Sequence, residues 1–271
     1  MPERAVPEKM LRRIRITLAY DGTGFHGWQV QPGLPTIQGT LERILSEMEG
    51  APVHVAGSGR TDAGVHALAQ VAAFSITNPI PAANLRRAVN RLLPPDIRVL
   101  SAEEAGADFH PRFQAIAKTY EYRIFRDEVC SPFEWPYVHH YPYPLDESRM
   151  ARLAEAFAGE HDFTAFAASD DRDAEGRSKV RTIFSSTLER APGRLVYRVR
   201  GSGFLKHMVR NIVGTLIEAG KGNVADLERL PAECGPTAPA KGLFLVGVEY
   251  GGEELKVRSQ ESGGKKPSAD C

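Results

Sequence analysis

The chain has 271 residues, 42% of them apolar and 25% charged, which is typical of a globular protein with one large domain or two smaller ones. Its apolar runs, such as Leu243–Val246, are far shorter than the roughly 20 residues of a membrane span, and its N-terminus lacks the apolar stretch of a secretory signal. Three widely spaced cysteines argue against a disulfide framework or a zinc knuckle. We therefore expect a soluble, cytoplasmic protein with no membrane partner.

Positive charge is concentrated in one part of a chain whose net charge is zero. The segment 177–221 carries ten basic side chains against two acidic ones, a net charge of +8. Clustered cations favour a polyanionic partner, because each phosphate contact releases counterions. A solvated basic strand and helix face explains the charge equally well.

The first half of the chain is predicted to alternate strands and helices. Apolar residues occupy every second position of Arg13–Tyr20, which indicates a half-buried strand. Thr36 is suited to cap the next helix, and Gly50 to end it. The further elements predicted here are the strand Pro52–Ala56, the loop Gly57–Gly64, the strand Leu68–Ile76, a helix that begins at Pro81 and ends at Pro94–Pro95, and the strand Ile97–Ala102.

The second half is predicted to repeat this order. Its elements are the strand Lys118–Phe125, a helix capped by Asp146 and ended by Gly159, the strands Val180–Leu188 and Leu195–Val199, the helix Phe204–Ala219, a short helix capped by Asn223, and the strand Leu243–Tyr250. Each half therefore has the order β-α-β-β-α-β of a ferredoxin-like unit.

The predicted fold class is α+β. Two ferredoxin-like halves form a central, mostly antiparallel sheet and leave a cleft between them. The predicted boundaries are a flexible N-terminus at 1–12, an N-terminal half at 13–107, a C-terminal half at 108–250 and a disordered, polar tail at 251–271.

The stretch GSGRTDAGVH, residues 57–66, is the most informative motif. Its glycines permit close approach of a ligand to the backbone, and Arg60 stands two residues from Asp62. Asp62 is either a functional carboxylate or a turn residue. A hydrolase triad of Ser58, Asp62 and His66 is disfavoured because GxSxG is absent, and neither a P-loop nor GxGxxG is present.

Two further groups combine residue types suited to RNA. Tyr120 and Tyr122 share one face of their strand, where they serve either the core or as a platform for an unstacked base. Lys206 and Arg210 are four residues apart on the predicted helix and form either a solvated face or a binding stripe. The eight histidines show no spacing typical of a metal site.

Five segments occur together in one order and carry a resemblance to a known family. They are YDGTGFHGWQVQP, GSGRTDAGVHA, KTYEYRI, FLKHMVRNIVGTL and GLFLVGVEY. With them the chain closely resembles the tRNA pseudouridine synthase A family from about Arg13 to Tyr250. The resemblance implies a pseudouridine synthase fold, a homodimer, and isomerisation of uridine in the anticodon stem-loop of tRNA without a cofactor. The sequence departs from the family at 168–179 and after Tyr250.

The resemblance also implies roles for individual residues. They are Asp62 as the catalytic aspartate, Arg60 as its loop neighbour, Arg210 as its ionic partner, Tyr120 as the stacking aromatic, and Leu243 or Leu245 as the apolar contact to the base. Lys206, from its place beside Arg210 on the predicted helix, is added to the predicted site as a substrate contact.

The reaction breaks the N-glycosidic bond, turns the uracil and joins its C5 to the ribose. The carboxylate attacks the base, attacks the ribose, or removes a sugar proton, and the sequence leaves these routes open. A related synthase that acts on other RNA uridines and a non-catalytic RNA-binding protein are the competing hypotheses.

Overall fold

The computed structural model describes residues 10–169, 176 and 178–251. Its strands are β1 (Arg12–Tyr20), β2 (Ala56–Gly57), β3 (His66–Ile76), β4 (Ile97–Ala105), β5 (Ala115–Phe125), β6 (His139–His140), β7 (Gly159–Asp162), β8 (Val180–Ala191), β9 (Arg194–Gly201) and β10 (Leu243–Tyr250). Its α-helices are α1 (Ile37–Glu49), α2 (Ala82–Leu92), α3 (Glu147–Ala156) and α4 (Met208–Gly220).

The strands form one sheet that is built twice from the same pattern. The main order is β4-β1-β3-β10-β5-β9-β8-β7, with β2 beside β3 and β6 beside β5. The order β4-β1-β3-β2 in the first half matches β10-β5-β9-β8 in the second. Strand β10 pairs in parallel with β3 through Phe244–His66 and Leu245–Ala67, and most other pairs are antiparallel. The predicted α+β class is confirmed.

Local sequence signals account for β1 and α1. Ile14, Leu18 and Tyr20 are buried along the predicted face of β1. The Thr36 hydroxyl accepts a hydrogen bond from the amide of Gly39 and caps α1, as predicted. Gly50 ends α1 at φ 74°, a left-handed conformation that favours glycine.

The predicted strand Pro52–Ala56 is wrong for most of its length, since β2 spans only Ala56–Gly57. The backbone before β2 is bound by side chains of α1 instead of by a strand. The amide of Val53 donates to Ser46 Oγ, and the amide of Val55 donates to Glu42 Oε1.

Two predictions about the helices of the second half are also wrong. Helix α4 begins at Met208 and not at Phe204, because His207 has a left-handed φ of 62° that a right-handed helix excludes. Asn223 caps no further helix. Its side chain instead donates to Glu218 Oε2, and its amide donates to the Glu218 carbonyl at the end of α4.

Several predictions concern residues at or beyond the ends of the described ranges. Strand β1 begins at Arg12, one residue before its predicted start. The predicted flexible residues 1–9, most of the predicted tail and most of the loop 168–179 lie outside the described residues. Among the described residues, no helix has the length and apolarity to cross a membrane.

Candidate active site

A cleft of about 800 Å³ opens where side chains from both halves converge. The first half contributes Trp28 and the loop residues Gly59–Ala63, and the second contributes Tyr120 and the segment Phe204–Val209. This volume lies within the range of roughly 300–1,000 Å³ that is usual for ligand pockets. The predicted cleft is therefore present, and the glycine-rich loop lines it.

The loop 57–64 is held by a buried polar network beneath it. Ser58 Oγ donates to Gln70 Oε1 at 2.6 Å, and Gln70 Nε2 donates to the Gly59 carbonyl at 2.9 Å. The hydroxyls of Tyr20 and Thr61 are 2.8 Å apart. Because each of these buried groups has a partner, the network holds the loop in one conformation.

The preceding loop, which contains the sequence FHGW, packs on the outside of this network. The amide of Trp28 donates to the Thr61 carbonyl at 3.0 Å. A Cβ atom at Gly57 would come within 2.6 Å of the Trp28 ring, and one at Gly27 would come within 2.6 Å of the Thr61 carbonyl oxygen. Glycine at these two positions therefore lets the two loops touch.

Asp62 faces two basic side chains from the other half. Its Oδ2 lies 3.4 Å from Arg210 Nη1 and 3.6 Å from His207 Nε2, and its side chain is 28% exposed. Arg210 Nε donates to the Ala238 carbonyl at 2.7 Å, which fixes the plane of the guanidinium. The predicted contact between Asp62 and Arg210 is present and joins residues 148 positions apart.

His207 is a site residue that the sequence interpretation missed. Burial lowers the pKa of His207, the charges of Arg210 and Lys206 lower it further, and Asp62 opposes them. The imidazole is therefore uncharged at neutral pH, and Arg210 is the cationic partner of Asp62. His207 is also the single non-glycine residue of the described chain with positive φ. The sequence offered one signal for this role, since His207 is the first residue of the HMVRN segment that contains Arg210.

Tyr120 and Tyr122 have different roles although they share a strand face. Tyr122 is fully buried, and its hydroxyl donates to the Pro239 carbonyl, so it belongs to the core. Tyr120 lines the cleft, with its ring edge-to-face against Phe204 at 5.0 Å between centroids. Burial raises the pKa of Tyr120, and Asp62 contributes, so the phenol is protonated.

The structure distinguishes the two candidate leucines of β10. Leu243 lines the cleft, whereas Leu245 is fully buried in the core opposite Tyr120. Of the two, Leu243 is the one placed to contact a ligand.

Arg60 and Lys206 both line the cleft, and both are exposed. Lys206 Nζ donates to the Ser169 carbonyl at 3.2 Å. Because α4 begins at Met208, the predicted helical stripe of Lys206 and Arg210 does not exist. Lys206 instead lines the cleft from a loop, and Arg210 reaches Asp62 from α4.

The basic segment 177–221 only partly reaches the cleft. Lys179, Arg181 and Lys206 line it. Several others make ion pairs with acidic residues: Arg190 with Glu147, Arg194 with Glu134, Arg198 with Glu121, Arg200 with Glu249, and Lys221 with Glu218. Arg177 lies outside the described residues. Cations from elsewhere in the chain, Arg60, Arg112 and Lys118, add to the lining.

Ser58 and His66, which the disfavoured hydrolase triad would combine with Asp62, have structural roles. Ser58 is fully buried and bonded to Gln70. His66 Nδ1 accepts the amide hydrogen of Gly22, and its ring stacks on Phe244 at 4.7 Å. Within the described part of the chain, no group of three His, Cys, Asp or Glu residues could hold a metal ion.

Comparison with known proteins assigns a class to this fold and cleft. The family model described as tRNA pseudouridine synthase matches residues 16–114 and 153–251, one stretch in each half. The chain belongs to the tRNA pseudouridine synthase family, whose members are isomerases.

Individual relatives agree with this family. The tRNA pseudouridine synthase A of Solibacter usitatus (strain Ellin6076) is 82% identical over 240 residues, which cover 89% of this chain and 100% of the relative. That of Lacticaseibacillus casei (strain BL23) is 46% identical, and the match covers 87% of this chain and 98% of the relative. That of Brevibacillus brevis is 42% identical, and the match covers 89% of this chain and 100% of the relative. The predicted resemblance is therefore confirmed.

Proposed function

We propose that this protein isomerises uridine to pseudouridine in the anticodon stem-loop of tRNA, with Asp62 as the nucleophile. The supporting observation is the Asp62–Arg210 pair, in which a partly exposed carboxylate that lines a basic cleft faces a fixed guanidinium. The names of its relatives support tRNA as the substrate.

A stacked base is out of reach of a cleft residue, so the target uridine is flipped out at a cost of a few kcal/mol. Tyr120 and Leu243 replace the lost stacking, since both line the cleft beside Asp62. Arg60 and Lys206, exposed on the same lining, contact the RNA backbone.

The isomerisation exchanges one bond to the ribose for another. The bond from N1 to C1′ breaks, the uracil turns, and a bond from C5 to C1′ forms. C5 loses a proton and N1 gains one, so the reaction is redox-neutral and needs no cofactor. Attack of Asp62 on the base, attack on the ribose and removal of a sugar proton all require an ionised carboxylate, which the guanidinium of Arg210 stabilises.

The test is pseudouridine mapping of unmodified tRNA incubated with the wild-type protein, Asp62→Asn and Asp226→Asn. Asp226 is an exposed aspartate outside the cleft lining, so it serves as the matched control. We expect pseudouridine in the anticodon stem-loop with the wild type and Asp226→Asn, and none with Asp62→Asn. Affinity of Asp62→Asn for tRNA should change little, because phosphate contacts dominate binding.

The outcomes separate the competing hypotheses. Pseudouridine elsewhere in RNA would identify a related synthase with another target. If the wild type binds tRNA but does not modify it, the protein is a non-catalytic RNA-binding protein. Product formation by Asp62→Asn would show that Asp62 is not the nucleophile.

We also propose that the working unit is a homodimer. Each chain has a mass of 29.7 kDa and offers one basic cleft in its described part, whereas an L-shaped tRNA extends well beyond a single cleft. A second subunit would widen the contact. Sedimentation with and without tRNA tests this, and a fully active monomer would contradict it.

A further inference from the structure

An exposed aromatic ring stands at the mouth of the cleft and has no role in the proposed chemistry. Phe113 lies in the segment that joins β4 to β5, and it is 76% exposed. It nevertheless lines the same cleft as Asp62 and Tyr120. A phenyl ring gains free energy when a ligand buries it, so a ring exposed in a cleft lining is available for contact with a ligand.

The ring of Phe113 is held in place before any ligand arrives. The His110 ring lies against it, with centroids 4.3 Å apart and planes 31° apart. His110 Nδ1 accepts hydrogen bonds from the amides of Arg112 and Phe113 at 3.2 and 3.4 Å. Burial and the neighbouring guanidinium groups of Arg13 and Arg112 lower the pKa of His110, so the supporting ring is uncharged at neutral pH. A preorganised pair of this kind loses little entropy on binding.

The segment that carries this pair is itself tied to the sheet. The Tyr250 hydroxyl donates to the Pro111 carbonyl at 2.7 Å, which fastens the segment to the end of β10. The amide of Gln114 donates to the His110 carbonyl at 3.2 Å. Phe113 therefore has a fixed position relative to β10, the strand that carries Leu243 into the cleft.

Positive charge lies beside the ring and along the cleft that it lines. The Arg112 guanidinium lies 5.8 Å from the centroid of Phe113, and Lys118 and Arg181 belong to the same cleft lining. An aromatic face among cations is how proteins bind single-stranded nucleic acid, because any base can stack while the cations attract the phosphates.

We infer that Phe113 is a stacking platform for an unpaired base of the tRNA, at a nucleotide other than the target uridine. The inference rests on the proposed function. Phe113 lies in the segment before β5, whereas Tyr120 is the sixth residue of that strand, so we assign the two rings to different bases. The occupied nucleotide is unpaired, since only an unpaired base offers a free face, and its identity matters little.

The experiment measures binding of an unmodified tRNA transcript to the full chain at fixed salt, for Phe113→Leu, Phe113→Tyr and Phe133→Leu. Phe133 is 87% exposed and lies outside the cleft lining, so it is the matched control. We expect affinity to fall by about tenfold in Phe113→Leu, because leucine keeps apolar surface but loses the stacking face. Phe113→Tyr and Phe133→Leu should bind as the wild type does, and the salt dependence of Phe113→Leu should be unchanged because no charge is removed.

Wild-type affinity in Phe113→Leu would overturn the inference, as would a Phe113→Tyr variant as weak as Phe113→Leu. A changed sedimentation coefficient of free Phe113→Leu would assign the ring to a contact between copies of the chain, and would overturn it too. Pseudouridine formation by the wild type on the same transcript is measured in parallel. Its absence would refute the proposed function, whereas normal formation with unchanged Phe113→Leu binding would refute the inference alone.

Discussion

Lys118 Nζ donates a 2.6 Å hydrogen bond to the carbonyl oxygen of Ser58, and so ties β5 to the loop that carries Asp62. Lys118 and Tyr120 are two residues apart on β5, which places both on one strand face. One strand of the second half therefore supplies an aromatic ring to the cleft and a hydrogen bond to the loop 57–64 of the first half.

The Lys118 hydrogen bond predicts a pH-dependent stability. Burial, with a smaller contribution from repulsion by Arg112, lowers the pKa of Lys118 to about 8. Between about pH 8 and the unfolded value near 10.5, the unfolded chain binds a proton that the folded chain has lost, so this group makes stability rise with pH. The free energy of unfolding of the wild type, minus that of Lys118→Met, should increase from pH 7 to pH 9.5 in urea titrations.

Lys221→Met is the control for this measurement. The hydrogen bond to Glu218 raises the pKa of Lys221, so its contribution is constant over the same interval and is lost only above it. If Lys118→Met and Lys221→Met show the same pH dependence, the titration does not belong to Lys118.

The guanidinium of Arg210 should matter for its shape as well as for its charge. Its Nε is bonded to the Ala238 carbonyl while Nη1 faces Asp62, and a lysine cannot make both hydrogen bonds with a planar group. Arg210→Ala should lower the single-turnover rate by about 100-fold or more, and Arg210→Lys by roughly tenfold. Equal rates for the two variants would show that the planar shape of the guanidinium has no role. Binding of tRNA, measured alongside, should change little.

The ring of Tyr120 should matter more than its hydroxyl. Tyr120→Phe should retain most activity, whereas Tyr120→Ala should lose about 1–3 kcal/mol of stacking with the base. Because Tyr120 is buried against Phe204, unfolding of both variants must be measured to separate the effect on stacking from the effect on packing. If Tyr120→Phe is as inactive as Tyr120→Ala, the hydroxyl and not the ring is the group of Tyr120 that activity requires.

The salt dependence of tRNA binding should follow the cations of the cleft rather than the whole basic segment. Replacing Arg181 and Lys206 by Met should flatten the log–log slope by roughly 0.7–0.9 for each phosphate that the variant no longer neutralises. Charge patterning in the sequence points equally to Arg198, but its guanidinium is paired with Glu121 outside the cleft lining. Arg198→Met should therefore leave the slope unchanged. A flattened slope in Arg198→Met alone would place the RNA on another face of the sheet.

Local physical chemistry predicted much of the fold. The alternation of Arg13–Tyr20 and the caps at Thr36 and Gly50 depend on neighbouring residues only, and the structure contains all three features. Two such predictions are wrong because the backbone adopts conformations and partners that the residue pattern does not encode. The stretch before β2 is bound by side chains of α1, and the left-handed φ of His207 delays the start of α4.

Sequence patterns were enough to define the two β-α-β-β-α-β halves, the glycine-rich loop and the candidate residues Asp62, Tyr120 and Arg210, because spacing and side-chain chemistry are local properties. Which of these residues meet depends on the folded chain as a whole. Asp62 and Arg210 are 148 residues apart, and their contact depends on β10 pairing with β3 and β5 to join the halves. The same pairing places Leu243 rather than Leu245 in the cleft lining. The pairing of β9 with β5 sets Arg198 opposite Glu121, outside that lining, since side-chain environment in a sheet is set by the neighbouring strands.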